Sequence, residues 1–243
     1  MSAKKLTLVV LAVLIGGAAA LAGWIYARNF HGTAKIVGGQ RVGPLITVDE
    51  DFVASFIVDA GGHAALIDCG LDPDAAPLVA ALAEAGYAPD DVEAIFITHG
   101  HEDHIAGCHR FPSATIYAFA GDEALFAEPE HPLATFTPLE DGQRVAVGEL
   151  EVIAYHVPGH TAASACYRVG DVLAMGDNAM AKTDGTLAGA PPFFSDDPEQ
   201  NVAELAALAG RVELDSITHL AFAHTSSLVG GEPLAALAAD AER

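Results

Sequence analysis

The stretch FITHGHEDHIAG, residues 96–107, constrains the fold more than any other part of the chain. His99, His101, Asp103 and His104 crowd into six positions directly behind the apolar run AIFIT. A short apolar run reads as a buried strand, so this one delivers a polar cluster to the edge of a sheet. His99 and His101 are two apart and project to one side in extended geometry. Asp103 and His104 follow where a helix can begin, and could point at a second locus beside the first. Imidazole and carboxylate donors suit zinc, iron or manganese better than thiolate-loving ions. A cluster this dense, with no arginine to compensate it, makes poor structural packing, so it is read as a metal site.

Three more ligand-type residues stand at the ends of other apolar runs. HVPGHT places His160 in a Pro-Gly turn, LAMGDN places Asp177 behind a buried run, and LAFAHT places His224 at the end of another. A carboxylate in such a setting needs a cation or a cap. The remaining histidines are weaker candidates. His156 falls within a strand, and His219, five before His224, faces the other side of its strand. His31, His63, His109 and His131 fall in leader, turn or loop segments and are expected at the surface.

From residue 34 onward the pattern alternates between strand-like and helix-like segments. FVASFIVD, Gly61-Gly62 and AALIDCG form a hairpin pattern whose second strand ends at Asp68. DPDAAPLVAALAEAG and DPEQNVAELAALAG carry acidic starts and glycine stops, so both read as helices, and PLAALAADAER reads as a closing one. QRVAVG, LEVIAYHVPG, ASACYRVG, VLAMGD and ITHLAFAH supply further strands. The order suggests two mixed sheets packed together with helices outside, rather than a doubly wound parallel sheet.

These motifs give a specific resemblance. IDCG with Asp68, THGHEDH over residues 98–104, PGHT with His160, GD with Asp177 and AHT with His224 follow one another as in the metallo-β-lactamase-fold superfamily. The chain resembles its binuclear metallo-hydrolase branch, similar to hydroxyacylglutathione hydrolases and lactonases. The resemblance implies an α+β fold, a four-layer αβ/βα sandwich. It also implies two divalent metal ions, zinc above all, with iron or manganese as alternatives. His99, His101 and His160 would hold one ion; Asp103, His104 and His224 the other; Asp177 would bridge both. Asp68 would hydrogen-bond a ligand histidine, and Asp103 would orient the attacking water or shuttle its proton. A hydroxide held between the ions would then attack the carbonyl of a small ester, lactone or thioester. A mononuclear-iron persulfide dioxygenase and a β-lactamase are the alternatives, the latter weakened by Asp177. Tyr155, Tyr167 and Asn178 are nominal candidates for a general acid.

The first thirty residues differ from the rest. Lys4 and Lys5 precede a run from Leu6 to Ala27 without a charged residue. This reads as a retained membrane anchor or a cleaved signal peptide, with Ala20-Leu21-Ala22 as a cleavage site. Residues 31–243 would then be the exported catalytic domain, periplasmic or extracellular, bound to the membrane through the N-terminal helix if that helix is uncleaved. Beyond residue 30 there remain eight basic against 33 acidic side chains, a formal charge of −25. Such a surface repels phosphate backbones and points to a small-molecule substrate, not nucleic acid. Only 19 residues follow His224, with Arg243 their one basic side chain, which offers little to glutathione. Cys69, Cys108 and Cys166 sit in apolar settings and read by default as buried free thiols, with one disulfide open but unpairable from sequence. Residues 182–201, carrying Pro191, Pro192, Phe193 and Phe194, form a loop that could wall the metals and bind an acyl chain.

Overall fold

Strands β3 (Val53–Asp59) and β4 (Ala64–Ile67) carry almost no polar residue, and almost every side chain in them is buried. A strand apolar on both faces must be covered on both, and that requirement dictates the layers. In the computed structural model, which describes residues 16–17, 19–21 and 23–241, they lie near the centre of a seven-stranded sheet. Its order is β1 (Arg41–Val42), β2 (Leu45–Glu50), β3, β4, β5 (Val92–Phe96), β6 (Thr115–Ala118), β7 (Thr137–Pro138). β1 to β4 run antiparallel, and β4 to β7 run parallel.

The second sheet has six strands. It places β8 (Arg144–Val147), β9 (Leu150–His156), β10 (Ala165–Val169) and β11 (Val172–Ala174) side by side, antiparallel. β14 (His219–Ala221) then pairs in parallel with β11, and β15 (Leu228–Val229) closes the edge. Between them in sequence, β12 (Ala179–Ala181) and β13 (Leu187–Gly189) form a separate ribbon. Part of the 182–201 segment expected to be loop is therefore strand.

One apolar cluster, including Phe56, Ile67, Phe96, Val152, Tyr167 and Val172, fills the space between the sheets. A second lies under the helix Ala76–Ala85, which buries Leu78 and Leu82. A third packs the helices Pro198–Ala209 and Glu232–Ala241 onto the six-stranded sheet through Leu205, Leu208 and Leu234. Helix, sheet, sheet and helix are the four layers that the sequence led us to expect. The helix ends follow their local signals. Gly86, in the left-handed region, stops the first, and the Asp197 carboxylate accepts from the Gln200 N–H to start the second.

The N-terminal anchor or signal falls mostly outside the described residues. Among those described, no helix is long and apolar enough to cross a membrane. Residues 23–30 are helical, and the following segment is fastened to the sandwich. The Ala34 N–H donates to the Ala181 carbonyl, and the Thr183 N–H to that of Gly32.

The cysteine default is corrected. Cys69 and Cys108 form a disulfide with their Cα atoms 5.2 Å apart, and only Cys166 is a buried free thiol. The two partners lie 39 residues apart, and no local pattern marks them as neighbours.

Candidate metal centre

Five strands of the two sheets end on one edge of the sandwich, and each end carries a polar residue. β4 leads to Asp68, β5 to His99 and His101, β9 to His160, β11 to Asp177 and β14 to His224. The short helix Glu102–Ile105 begins inside the opening motif and presents Asp103 and His104. All seven expected ligand residues meet in this one place, in overlapping groups. None of the four surface candidates (His31, His63, His109, His131) joins them, and each is exposed. His156 is the last residue of β9 rather than an interior one. It donates through Nε2 to the Ala162 carbonyl at 2.9 Å and stacks on Phe119. His219 lies at the start of β14, against Thr218.

Two adjoining loci are visible. In the first, His99 Nε2 lies 2.9 Å from His101 Nδ1 and 3.2 Å from His160 Nε2, and the last two are 3.1 Å apart. In the second, Asp103 Oδ2 lies 3.5 Å from His224 Nε2 and 3.9 Å from His104 Nε2. Asp177 stands between: its Oδ2 is 3.0 Å from His224 Nε2 and 3.5 Å from His160 Nε2, and its Oδ1 is 3.4 Å from His104 Nε2.

The outer hydrogen bonds fix which nitrogen faces the centre. His104 donates from Nδ1 to Asp68 Oδ2 at 2.7 Å, and Asp68 is itself held by the Thr98 N–H and hydroxyl, both at 2.7 Å. Asp68 has φ 61°, a conformation uncommon outside glycine but better tolerated by aspartate than by most residues. His160 donates from Nδ1 to the Ser195 hydroxyl oxygen, whose own proton goes to the Pro191 carbonyl. His224 Nδ1 donates to the Phe52 carbonyl, and His99 Nδ1 to the Thr98 hydroxyl oxygen. With Nδ1 committed outward in all four, each Nε2 turns inward.

That arrangement fits a cation and little else. His99 Nε2 and His160 Nε2, each with its Nδ1 proton directed outward, face each other at 3.2 Å and repel unless a positive charge lies between them. Their spacing is close to the roughly 3.3 Å edge of a tetrahedron with zinc–nitrogen bonds of about 2.0–2.1 Å. His104 Nε2 and Asp177 Oδ1 are buried and have no hydrogen-bond partner, which is costly unless something coordinates them. Burial, reinforced by His104 and His160, holds the His99 imidazole well below its ordinary range, and burial pushes His160 down to about 4. Burial alone would lower His104 too, but the Asp177 and Asp68 carboxylates hold it well above. Burial would raise Asp177, yet His224 and His104 keep it well below the carboxylate range, so it stays ionised.

One residue that the sequence reading missed ties the ligand loops together. Asp122, fully buried, accepts the Gly100 N–H at 2.8 Å and the Thr161 hydroxyl at 2.7 Å on Oδ2, and the Ala163 N–H at 3.0 Å on Oδ1. It thereby joins the His99–His101 loop to the His160 loop across the two sheets. Gly100 permits the approach, since a Cβ there would lie 2.7 Å from that of Leu125. Asp122 heads the short helix Glu123–Phe126 but makes no cap bond to it. Its place at the start of a short helix gives no local sign of this role.

The nominal general acids do not face the centre. Tyr167 is buried between the sheets and donates to the Ile97 carbonyl at 2.6 Å, which steadies the end of β5. Tyr155 packs under Arg211, and Asn178 donates to the Ala165 carbonyl. A cavity of about 710 Å³ opens over the metal loci, with His101, Asp103, Asp177 and His224 at its floor. Pro191 and Phe194 line it, whereas Phe193 does not.

Comparison with known proteins agrees with this geometry. The family model for the metallo-beta-lactamase superfamily matches residues 48–215, most of the chain. The hydroxyacylglutathione hydrolase of Fuscovulum blasticum is 34% identical over 155 residues, covering 62% of this chain and 54% of that protein. That of Methylobacillus flagellatus is 28% identical over 169 residues, covering 68% and 60%. The chain thus spans little more than half the length of these curated relatives. A metallo-beta-lactamase family protein from Thermus thermophilus superposes with a TM-score of 0.64 at 22% identity, over 82% of this chain and 78% of the other. A B3 metallo-beta-lactamase with an active-site glutamic acid gives 0.63 at 17% identity, over 92% of each. At such identities the structural likeness speaks for the fold. The chain belongs to the metallo-beta-lactamase superfamily.

Proposed function

We propose that this protein is a binuclear metallo-hydrolase that cleaves a small ester, lactone or thioester. The observation that carries the reading is the pair of adjoining loci joined by Asp177, where His104 Nε2 and Asp177 Oδ1 are buried without a hydrogen-bond partner. His99, His101 and His160 would hold one ion, Asp103, His104 and His224 the other, and Asp177 would contact both. When bound, two divalent ions supply an activated water near neutral pH and polarise a carbonyl oxygen.

The rest falls to the protein's own groups. Asp68 locks His104 in one tautomer, and the Phe52 carbonyl does the same for His224. Asp103, at the cavity floor, orients the attacking water, takes up its proton and returns it to the leaving group. With Tyr155 and Tyr167 turned away, Asp103 is the carboxylate at the cavity floor that carries the proton. Among the described residues lining the cavity Lys35 is the one lysine or arginine, so the site suits a neutral carbonyl better than a multiply charged one.

The curated relatives named above are hydroxyacylglutathione hydrolases, which supports the reaction class. This chain's sparse basic residues make glutathione itself a poor fit. We also read the domain as exported, either anchored or released after cleavage. The uncharged run behind Lys4 and Lys5 supports that reading, and so does the Cys69–Cys108 disulfide, since such bonds persist in oxidising compartments. Elemental analysis of the purified full chain tests the core of the proposal. Two zinc ions per chain, with thioester or lactone hydrolysis lost on chelation and restored by zinc, is the expected result. One iron per chain would replace the reading with sulfur oxidation, and no tightly bound metal would end it.

A further inference from the structure

The cavity above the metal loci has a wall that the enzyme core does not supply. Tyr26, Phe30, Ala34 and Ile36 line it from the N-terminal side, facing Phe52 and Phe194. The same cavity reaches His224 and Asp103, so this apolar surface is continuous with the reacting end.

The wall is fixed in place. Asn29, fully buried, donates to the Ile25 carbonyl at 2.7 Å and accepts the Phe193 N–H at 2.9 Å. This one side chain therefore couples the 23–30 helix to the Pro192–Phe194 turn. Lys182 Nζ donates to the His31 carbonyl at 3.2 Å. The rings form a connected series: Tyr26 to Phe30 at 6.0 Å, Phe30 to Phe194 at 6.1 Å, Phe194 to Phe193 at 5.1 Å. Phe52 stacks on His224 with an interplanar angle of 3°, which brings aromatic surface up to the metal locus.

The exposed aromatic rings are equally concentrated. Among the described residues these are Trp24, Tyr26, Phe52, Phe193 and Phe194, and all five belong to the three segments around this cavity. Exposed apolar surface gathered at one opening marks a binding face, whereas scattered single residues do not. A purely structural role for the segment would bury these rings, and it leaves them open.

We infer that residues 26–36 and the 191–194 turn form an acyl-binding channel, and that the substrate is an amphiphile whose long acyl chain lies in it with its carbonyl at the metals. This rests on the hydrolase reading for the reaction, while the channel itself is a claim about binding. The wall begins at Tyr26, inside the uncharged run Leu6–Ala27, and continues beyond it, so the channel adjoins an apolar stretch suited to an amphiphile.

The test uses the full chain and two readouts. Calorimetry compares decanoate with butanoate as ligands, and turnover compares the p-nitrophenyl esters of the same two acids. Each buried methylene is worth about fourfold, so decanoate is expected to bind at least about tenfold more tightly, with a matching ratio in kcat/KM. Phe30→Ala with Phe194→Ala should collapse the ratio, while Phe30→Leu with Phe194→Leu should largely keep it. Melting temperatures confirm that both variants are folded, and the wild-type comparison stands without them. Equal binding of the two acids, or a ratio indifferent to the alanine pair, overturns the channel. Chain-length-dependent binding with no hydrolysis of any ester, lactone or thioester supports the channel and sinks the proposed reaction instead.

Discussion

The Cys69–Cys108 bridge allows a quantitative prediction that reaches the metal site. Cys69 directly follows Asp68, and its N–H donates to the His104 carbonyl at 2.7 Å. Cys108 closes the far end of the segment that carries His99, His101, Asp103 and His104. The bond thus clamps the ligand motif to the carboxylate that orients His104. Its loop spans 39 residues, for which the chain-entropy relation gives about 4 kcal/mol of stabilisation at 25 °C. For a chain of this size about 1 kcal/mol shifts the melting temperature by roughly 2–4 °C. Replacing both cysteines with serine should therefore lower it by roughly 8–16 °C. Zinc affinity should fall as well, by about tenfold or more, as when a partner orienting a ligand is disturbed. The assay is calorimetric melting of oxidised wild type, reduced wild type and the double variant, with thiol titration in guanidinium beforehand. One reactive thiol per unfolded wild-type chain is expected, from Cys166. Three thiols from protein kept under oxidising conditions, or equal melting of all three samples, would refute the reasoning.

The remaining predictions concern single residues. Asp122→Ala strands two buried N–H groups and should cost on the order of 3 kcal/mol, together with zinc affinity; unchanged zinc competition against a chelator would remove Asp122 from the site's support. Burial pushes Cys166 up to about 12, so native protein at pH 8 should resist iodoacetamide until it unfolds; labelling at the unfolded rate would contradict this. Burial raises Glu50, which leaves Oε1 unpaired while Oε2 accepts the Leu71 and Asp72 N–H groups. A carboxyl raised in the folded state contributes stability below its ordinary range and loses it as pH rises through the raised value. Glu50→Gln should therefore stabilise the protein at pH 7 and less so at pH 4, a difference that denaturant titration at the two pH values reads directly.

The sequence made the ligand set legible because each ligand stands at the end of an apolar run, where a strand must meet solvent or a site. The strands β3, β4, β5, β9 and β10 were readable for the same reason, as were the glycines that end the helices Ala76–Ala85 and Pro198–Ala209. What stayed hidden is long-range partnering. Nothing in the sequence around Asp122 points to the site, and only the approach of the His99–His101 and His160 loops shows what its side chain holds. Tyr167 reads as a possible acid until the seven-stranded sheet supplies the Ile97 carbonyl opposite it. The strands β1, β7, β12, β13 and β15, two or three residues each, are too short for any periodicity to show. The N-terminal segment is the most instructive case. Read alone, its apolar run is a retained membrane anchor or a cleaved signal peptide, and its aromatic end suits the bilayer interface. Folded, the rings at that end also line the cavity over Asp103 and His224, held there by Asn29, whose partner Phe193 lies 164 positions away. A feature that satisfies one physical requirement completely gives sequence reasoning no reason to look for a second, and here the second is contact with the cavity over Asp103 and His224.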